Sequence, residues 1–117
     1  MDQLKQDIKT FIRERDWEQY HAPKNLALAL SVEVTELLEI FQWEETGEDL
    51  SPGKQKALAE EIGDVLIYLV ELADKFEIDI LEAARHKLTL NEQKYPADQV
   101  RGRADKYTAY RDQDLSG

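Results

Sequence analysis

Two pairs of acidic residues could do chemistry in this chain: Glu33 with Glu36, and Glu61 with Asp64. Each pair lies in a stretch whose apolar residues recur at helical spacing, and residues three apart lie about 60° apart around a helix. Two such pairs on packed helices would place four carboxylates around one point, which is unfavourable unless a cation neutralises them. Carboxylate oxygens suit Mg²⁺, commonly together with a phosphate group. The pairs therefore predict a Mg²⁺ site for a phosphorylated substrate, with Mn²⁺ as a possible ion.

The alternative interpretation is that these acids are the solvated edges of amphipathic helices, since 34% of the residues are charged. A helical wheel favours the interpretation that the four acids share one site. With Glu33 at zero, the apolar residues of its helix lie about 20–100° to one side and Glu36 lies about 60° to the other. Glu61 and Asp64 repeat this layout on their own helix. Four further acids are predicted to lie at the surface: Glu39, Glu44, Glu60 and Glu71.

Four helices are predicted to position these acids, over about residues 2–20, 24–45, 52–76 and 79–94. No segment has the pattern of a strand, so the predicted fold is all-α, a four-helix bundle. Short connections make the second and third helices antiparallel neighbours, and likewise the third and fourth. Residues 1–96 are predicted to form the domain, followed by a polar tail at 97–117.

Local signals support the starts of the last two helices. Ser51 followed by Pro52 is typical of an N-cap and first helical position, and Asp79 with Glu82 resembles a capping box. The predicted core positions of the second and third helices are Leu26, Leu30, Val34, Leu37, Phe41, Leu58, Ile62, Val65, Leu69, Leu72 and Phe76.

The composition of the chain excludes several classes of protein. A chain of 117 residues fits one domain, and a formal charge of −10 argues against binding a nucleic-acid polymer. Cysteine is absent, and no apolar run reaches the roughly 20 residues of a membrane span. The first residues lack a signal peptide's apolar core, so we expect a cytoplasmic protein without a membrane partner.

Three apolar residues lie outside the predicted core stripes: Ile67, Val70 and Leu81. They predict a subunit interface.

The order and spacing of the acidic pairs, with 24 residues between Glu36 and Glu61, resemble the all-α NTP pyrophosphatase (MazG-like) superfamily. The resemblance is closest to its dCTP pyrophosphatase branch and covers nearly the whole chain. The matching stretches are ERDWEQYHAPKNLALAL at 14–30, ELLEIFQW at 36–43, EEIGDVLIYLVELA at 60–73, KLTLNEQKYP at 87–96 and RGRADKYTAY at 101–110.

This resemblance implies hydrolysis of a nucleoside triphosphate to a monophosphate and pyrophosphate, with dCTP or a modified dCTP as the expected substrate and nucleotide-pool house-cleaning as the role. It implies that Glu33, Glu36, Glu61 and Asp64 hold Mg²⁺. Either Glu36 or Glu61 would accept the proton of the attacking water, and the choice stays open. The resemblance also implies a homo-oligomer, either a dimer or a dimer-of-dimers tetramer.

The resemblance further implies a set of substrate-binding residues, each of which also has a purely structural alternative. Those expected to line the nucleoside pocket or read the base or sugar are Trp17, His21, Asn25, Trp43 and Tyr68. Those expected to approach the phosphates or close the site are Lys24, Lys87, Asn91, Lys94 and Tyr95. Alternative functions are the same chemistry on dATP, dUTP or a broad NTP range, or a non-catalytic helical regulator that binds nucleotide.

Overall fold

The computed structural model describes residues 1–102, which contain four long helices and no strand. The all-α prediction is confirmed. None of the described helices is long and apolar enough to cross a membrane. Residues 103–117, which include most of the predicted tail, lie outside the described residues. The helices are α1 Asp2–Glu14, α2 Pro23–Ile40, α3 Pro52–Lys75, α4 Ile80–Lys94 and a short α5 Ala97–Val100, with a 3-10 turn at Glu18–Tyr20.

The chain divides into two compact units, one spanning Met1–Ile78 and the other beginning at Asp79. The first unit contains α1, α2 and α3, and the second contains α4 and α5. The predicted boundary after residue 96 stays a prediction.

The first helix ends earlier than predicted, at Glu14 rather than near residue 20. Asp16 adopts a left-handed conformation with φ 53°, and its N–H donates to the Arg13 carbonyl at 3.1 Å. The N–H of Trp17 donates to the Ile12 carbonyl at 3.1 Å. This pair of bonds is a Schellman motif, which usually has glycine at the left-handed position. Because aspartate stands there, the stop signal was not visible in the sequence.

The second helix also ends early, at Ile40 rather than near residue 45. The loop that follows folds back over Phe41. Gly47 has φ 81°, and a Cβ atom there would lie 2.6 Å from the Phe41 ring. Glycine therefore lets the loop close against this ring and turn towards α3.

The starts of α3 and α4 agree with the prediction. The Ser51 hydroxyl accepts a hydrogen bond from the Lys54 N–H at 3.3 Å. The Asp79 carboxylate accepts from the N–H groups of Leu81 and Glu82, both at 3.1 Å. These side chains satisfy backbone donors that have no partner within the helix.

Helices α2 and α3 form the main helix–helix contact of the first unit, and they run antiparallel, as predicted. As the chain advances along α2, the residues of α3 that lie next to it come from progressively earlier positions. Three pairs of neighbouring side chains show this order: His21 with Glu71, Glu33 with Glu61, and Glu44 with Lys54.

The buried apolar core of the first unit is small, and each of its three helices contributes to it. Its members are Ile8 and Ile12 of α1, Leu26 of α2 and Val70 of α3. The prediction that Val70 belongs to a subunit interface is therefore wrong. Lys5 and Lys9 of α1 also bind Asp74 of α3, with nitrogen–oxygen distances of 3.0 and 3.3 Å.

The packed faces of α2 and α3 match the predicted stripes in part. The predicted core residues that are buried or half-buried are Leu26, Leu30, Leu37, Phe41, Leu58, Val65 and Leu72. Val34 is 48% exposed and Ile62 is 52% exposed, although both were predicted in the core; Leu69 and Phe76 are exposed as well. Half-buried Glu33 and Glu61 lie on the packed faces instead. Each helix is rotated so that its first acid faces the other helix, and the displaced apolar residues lie at the surface.

Candidate functional site

Three carboxylates meet where α2 crosses α3. Glu33 comes from α2, and Glu61 and Asp64 come from adjacent turns of α3. Each offers one oxygen, and these three oxygens lie within 4.8 Å of one another. The Oε2 atoms of Glu33 and Glu61 are buried without a hydrogen-bond partner. Buried acceptors are normally satisfied, so two orphaned carboxylate oxygens side by side indicate a position for a cation.

The electrostatics of the cluster support the same conclusion. Burial raises the pKa of Glu33 to about 7, and the neighbouring carboxylates of Glu61, Glu36 and Asp64 contribute to this rise. Negative charges this close resist ionisation together. A divalent cation would reverse this effect, and an all-oxygen donor set suits a hard ion such as Mg²⁺. The residues present therefore fit the predicted metal.

Glu36 lies beside this cluster rather than within it. Its side chain is exposed, and it acts on Glu33 by raising the pKa of that carboxyl. Its oxygens are not among the three that converge. The structure thus brings together three of the four predicted acids and leaves the fourth at the edge.

Tyr68 lies one helical turn beyond Asp64 and faces the acidic cluster. Burial raises the pKa of its hydroxyl, and the charges of Glu33, Glu71 and Asp64 raise it further. The phenol is therefore a neutral hydrogen-bond donor that lies between the acidic cluster and Glu71.

The two tryptophans predicted to contact the base occupy different settings. Trp17 follows α1 and packs edge-to-face against Phe11, with ring centroids 5.7 Å apart. The Arg15 guanidinium carbon lies 3.7 Å above the centre of the Phe11 ring. Trp43 lies in the turn after α2 and is 85% exposed. Both rings thus present apolar surface to solvent.

Two predicted polar residues lie at the start of α2. The Asn25 amide donates to the Tyr20 carbonyl at 3.4 Å and so links the helix to the preceding 3-10 turn. Lys24 is exposed in the first turn of the helix.

The remaining predicted residues belong to the second unit. Lys87, Asn91 and Lys94 recur at spacings of four and three along α4, which places them on one face of that helix. Tyr95 directly follows the helix, and its N–H donates to the Asn91 carbonyl at 2.8 Å.

Glu71 was predicted to lie at the surface, and this prediction is wrong. Its side chain is only 7% exposed; Oε1 lies 3.8 Å from Nδ1 of His21, and Oε2 is buried without a partner. Burial raises the pKa of Glu71, while the charges of His21 and Lys75 act in the opposite direction. The sequence contained a pattern that could have indicated this position, because Asp64, Tyr68 and Glu71 have the spacing of one helix face.

The other three acids predicted at the surface divide between two settings. Glu39 and Glu60 are exposed, as predicted. Glu44 is half-buried, and it forms an ion pair with Lys54 at the start of α3.

A cavity of about 260 Å³ adjoins Glu71. Its walls come from α1, from the segment between α1 and α2, and from the second half of α3, all within the first unit. Apolar Ile8, Ile12 and Val70 form one part of the lining, and His21 and Glu71 are among its polar groups.

Comparison with known proteins gives three findings. The sequence model of the MazG-like family matches residues 28–109. The chain is similar to dCTP pyrophosphatase 1 of Homo sapiens, at 49% identity over 102 residues, and to that of Mus musculus, at 51%. These matches cover 84% of the chain but 60% of each relative, so the chain spans about three-fifths of their length.

The fold is also similar to a solved structure of a pyrophosphatase from Archaeoglobus fulgidus DSM 4304. The TM-score is 0.77 at 44% sequence identity, and the match covers 82% of this chain and 92% of that one.

Proposed function

The chain belongs to the MazG-like family, and we propose that it hydrolyses a nucleoside triphosphate to a monophosphate and pyrophosphate. The observation that carries the proposal is the meeting of Glu33, Glu61 and Asp64, with two buried oxygens that have no protein partner. Such a cluster is suited to a divalent cation that binds a polyphosphate.

The proposed substrate is dCTP or a modified dCTP, with removal from the nucleotide pool as the role. The dCTP pyrophosphatase 1 relatives support this choice of base. A substrate of this kind is consistent with a cytoplasmic protein, which we retain as the proposed location.

The proposed metal is Mg²⁺, with Mn²⁺ as a possible substitute, held by Glu33, Glu61 and Asp64 with Glu36 at the edge. When bound, the ion would neutralise triphosphate charge and lower the pKa of a bound water. Around it, Tyr68 would donate a hydrogen bond towards the substrate. The packed faces of α2 and α3 exclude water from the inner carboxylate oxygens, which strengthens their hold on the cation.

The reaction is attack of water on the α-phosphorus, with pyrophosphate as the leaving group. This chemistry depends mainly on positioning and charge stabilisation, with one group to accept the proton of the water. Of the two predicted candidates, Glu61 has an oxygen within the cluster and Glu36 does not. We therefore propose that a carboxylate oxygen of Glu36 accepts this proton.

The nucleoside would lie against Trp17, His21 and Tyr68 of the first unit, with Asn25 reading the base edge or sugar. Trp43 follows the opposite end of α2 and would contact the nucleoside of a neighbouring subunit. The cations and amides would bind the phosphates or close the site. These proposed phosphate-side residues are Lys24, Lys87, Asn91, Lys94 and Tyr95.

We also propose that the chain forms a homo-oligomer, either a dimer or a dimer-of-dimers tetramer. Apolar side chains lie exposed along α2, including Leu28, Val32 and Leu38. An exposed apolar surface of this kind is typical of a subunit interface. Trp43, which is exposed beyond the same helix, could then reach the site of a neighbouring subunit.

The deciding experiment incubates the purified protein with Mg²⁺ and a panel of canonical and modified dNTPs, and separates the products by chromatography. We expect monophosphate and pyrophosphate, fastest with dCTP-type substrates. Stepwise release of orthophosphate would contradict the reaction, and another base reacting fastest would contradict the dCTP assignment. No turnover with any nucleotide would favour the non-catalytic regulator.

A further inference from the structure

Glu71 is a buried acceptor that the proposed hydrolysis leaves without a role. Its Oε2 has no hydrogen-bond partner, and its Oε1 faces His21 at a distance longer than a hydrogen bond. A carboxylate oxygen deprived of both water and protein donors is unfavourable, so such atoms commonly face a ligand or an ordered water. The cavity that Glu71 lines is the place where such a donor could enter.

The size and charge of the cavity fit an uncharged ring better than a phosphate. Its volume of about 260 Å³ lies just below the range of about 300–1,000 Å³ for drug-sized ligands. Lys5 and Lys9 at its wall are paired with Asp74. Arg13 lies 3.8 Å from Glu18, and Lys75, the fourth cation of the lining, lies near enough to Glu71 to lower the pKa of its carboxyl. The positive charges of the lining thus have acidic neighbours. With Ile8, Ile12 and Val70 as apolar lining, the cavity suits a flat heterocycle that bears a hydrogen-bond donor.

The position of the cavity relates it to the acidic cluster. Glu71 follows Asp64 by seven residues of α3, which is two turns and about 10.5 Å along the helix axis. Tyr68 lies between them and is influenced by the charges of both. A nucleotide whose phosphates lie at the cluster would have its base at about this distance along the helix.

We propose that Glu71 accepts a hydrogen bond from the exocyclic amine of the substrate's base and thereby selects amino-bearing bases. This proposal rests on the proposed nucleotide hydrolysis. The amine of cytosine is a donor at the position where uracil and thymine carry an acceptor oxygen. Glu71 keeps an acceptor oxygen in either protonation state, so the selection does not require the carboxyl to be ionised.

The test compares kcat/KM for dCTP and dUTP in three variants. Glu71→Leu fills the space but removes the acceptor, and we expect the dCTP-over-dUTP ratio to fall about 10- to 100-fold. Glu71→Gln keeps one acceptor oxygen, so most of the preference should survive. Glu39→Gln changes an exposed glutamate on α2 and should leave the ratio unchanged. If Glu71→Leu keeps the parent ratio, or if the parent protein does not prefer dCTP, the proposal is wrong.

A second measurement separates this proposal from the proposed reaction. Titration of the unmodified protein and Glu71→Leu with dCMP and dUMP, followed by NMR, needs no turnover. A preference for dCMP that is lost in Glu71→Leu would support the role of Glu71 even if no triphosphate were hydrolysed. Equal affinity of the unmodified protein for the two monophosphates would overturn it, whatever the hydrolysis assay shows.

Discussion

Glu33 of α2 and Glu61 of α3 face each other across the helix contact, each with its Oε2 buried and without a hydrogen-bond partner. Apolar residues at these two positions would stabilise the helix pair without any ligand. Acids there weaken the fold unless a cation is present, because each ionised carboxylate repels the other. The arrangement therefore links metal binding to the stability of the α2–α3 contact.

Replacing Asp64 with asparagine tests the cluster directly. We expect kcat to fall at least about 100-fold, because a carboxylate that holds the cation loses its charge. Thermal unfolding without metal should change little or shift upward, since one negative charge leaves the cluster. Glu60→Gln, a change at an exposed position on the same helix, is the matched control and should keep near-parent activity. Equal activity of the two variants would show that the acids are only a solvated helix edge.

The stability of the metal-free protein should depend on pH through Glu33. The pKa of this carboxyl is about 7 in the folded state, above its ordinary 4.5. Between these two values the folded state binds more protons than the unfolded state, so the free energy of unfolding falls as the pH rises. Thermal unfolding in EDTA at pH 5 and pH 8 should show a lower Tm at pH 8. In Glu33→Gln this decrease should become smaller.

Added Mg²⁺ should counter the loss of stability that is expected at high pH. Metal binding requires ionised carboxylates, so the increase in Tm on adding Mg²⁺ should be larger at pH 8 than at pH 5. The same increase should be absent in Glu33→Gln if Glu33 is a ligand. An Mg²⁺ effect that is independent of both pH and Glu33 would place the ion elsewhere.

Self-association is tested by a charge on the exposed apolar face of α2. Leu38 is 67% exposed, so Leu38→Glu should leave an isolated chain folded while disrupting a subunit interface at that face. Light scattering should then show a smaller particle than the parent protein. Thr10→Glu adds the same charge at an exposed position of α1 and is the control. An unchanged size for both variants would argue against an interface on this face.

The loop between α2 and α3 depends on Gly47. In Gly47→Ala the new Cβ would lie 2.6 Å from the Phe41 ring, at a backbone φ of 81° that favours glycine. We expect a loss of about 1–3 kcal/mol in the free energy of unfolding, measured by denaturant titration. Gly53→Ala is the control, since nothing lies within 4 Å of the added atom there. Equal stability of the two variants would contradict this account of the loop.

The sequence by itself determined the helical class, the starts of α3 and α4, and three of the four acids that it predicted to meet. Apolar spacing is a local property, and the Ser51 and Asp79 caps act on adjacent backbone groups, so neither requires the rest of the fold. The pairing of Glu33 with Glu61 followed because both helices carried the same layout.

Only the tertiary structure decided how α2 and α3 turn towards each other. The helical period shows which residues share a face of a helix, but not which part of that face becomes covered. By spacing alone, Val34 and Ile62 fitted the core as well as the residues that are in fact packed. Their exposure, and the inward position of Glu33 and Glu61, result from contacts between distant segments. The burial of Glu71 likewise needs α1 and His21 beside it, because a side chain becomes buried only when other parts of the chain cover it.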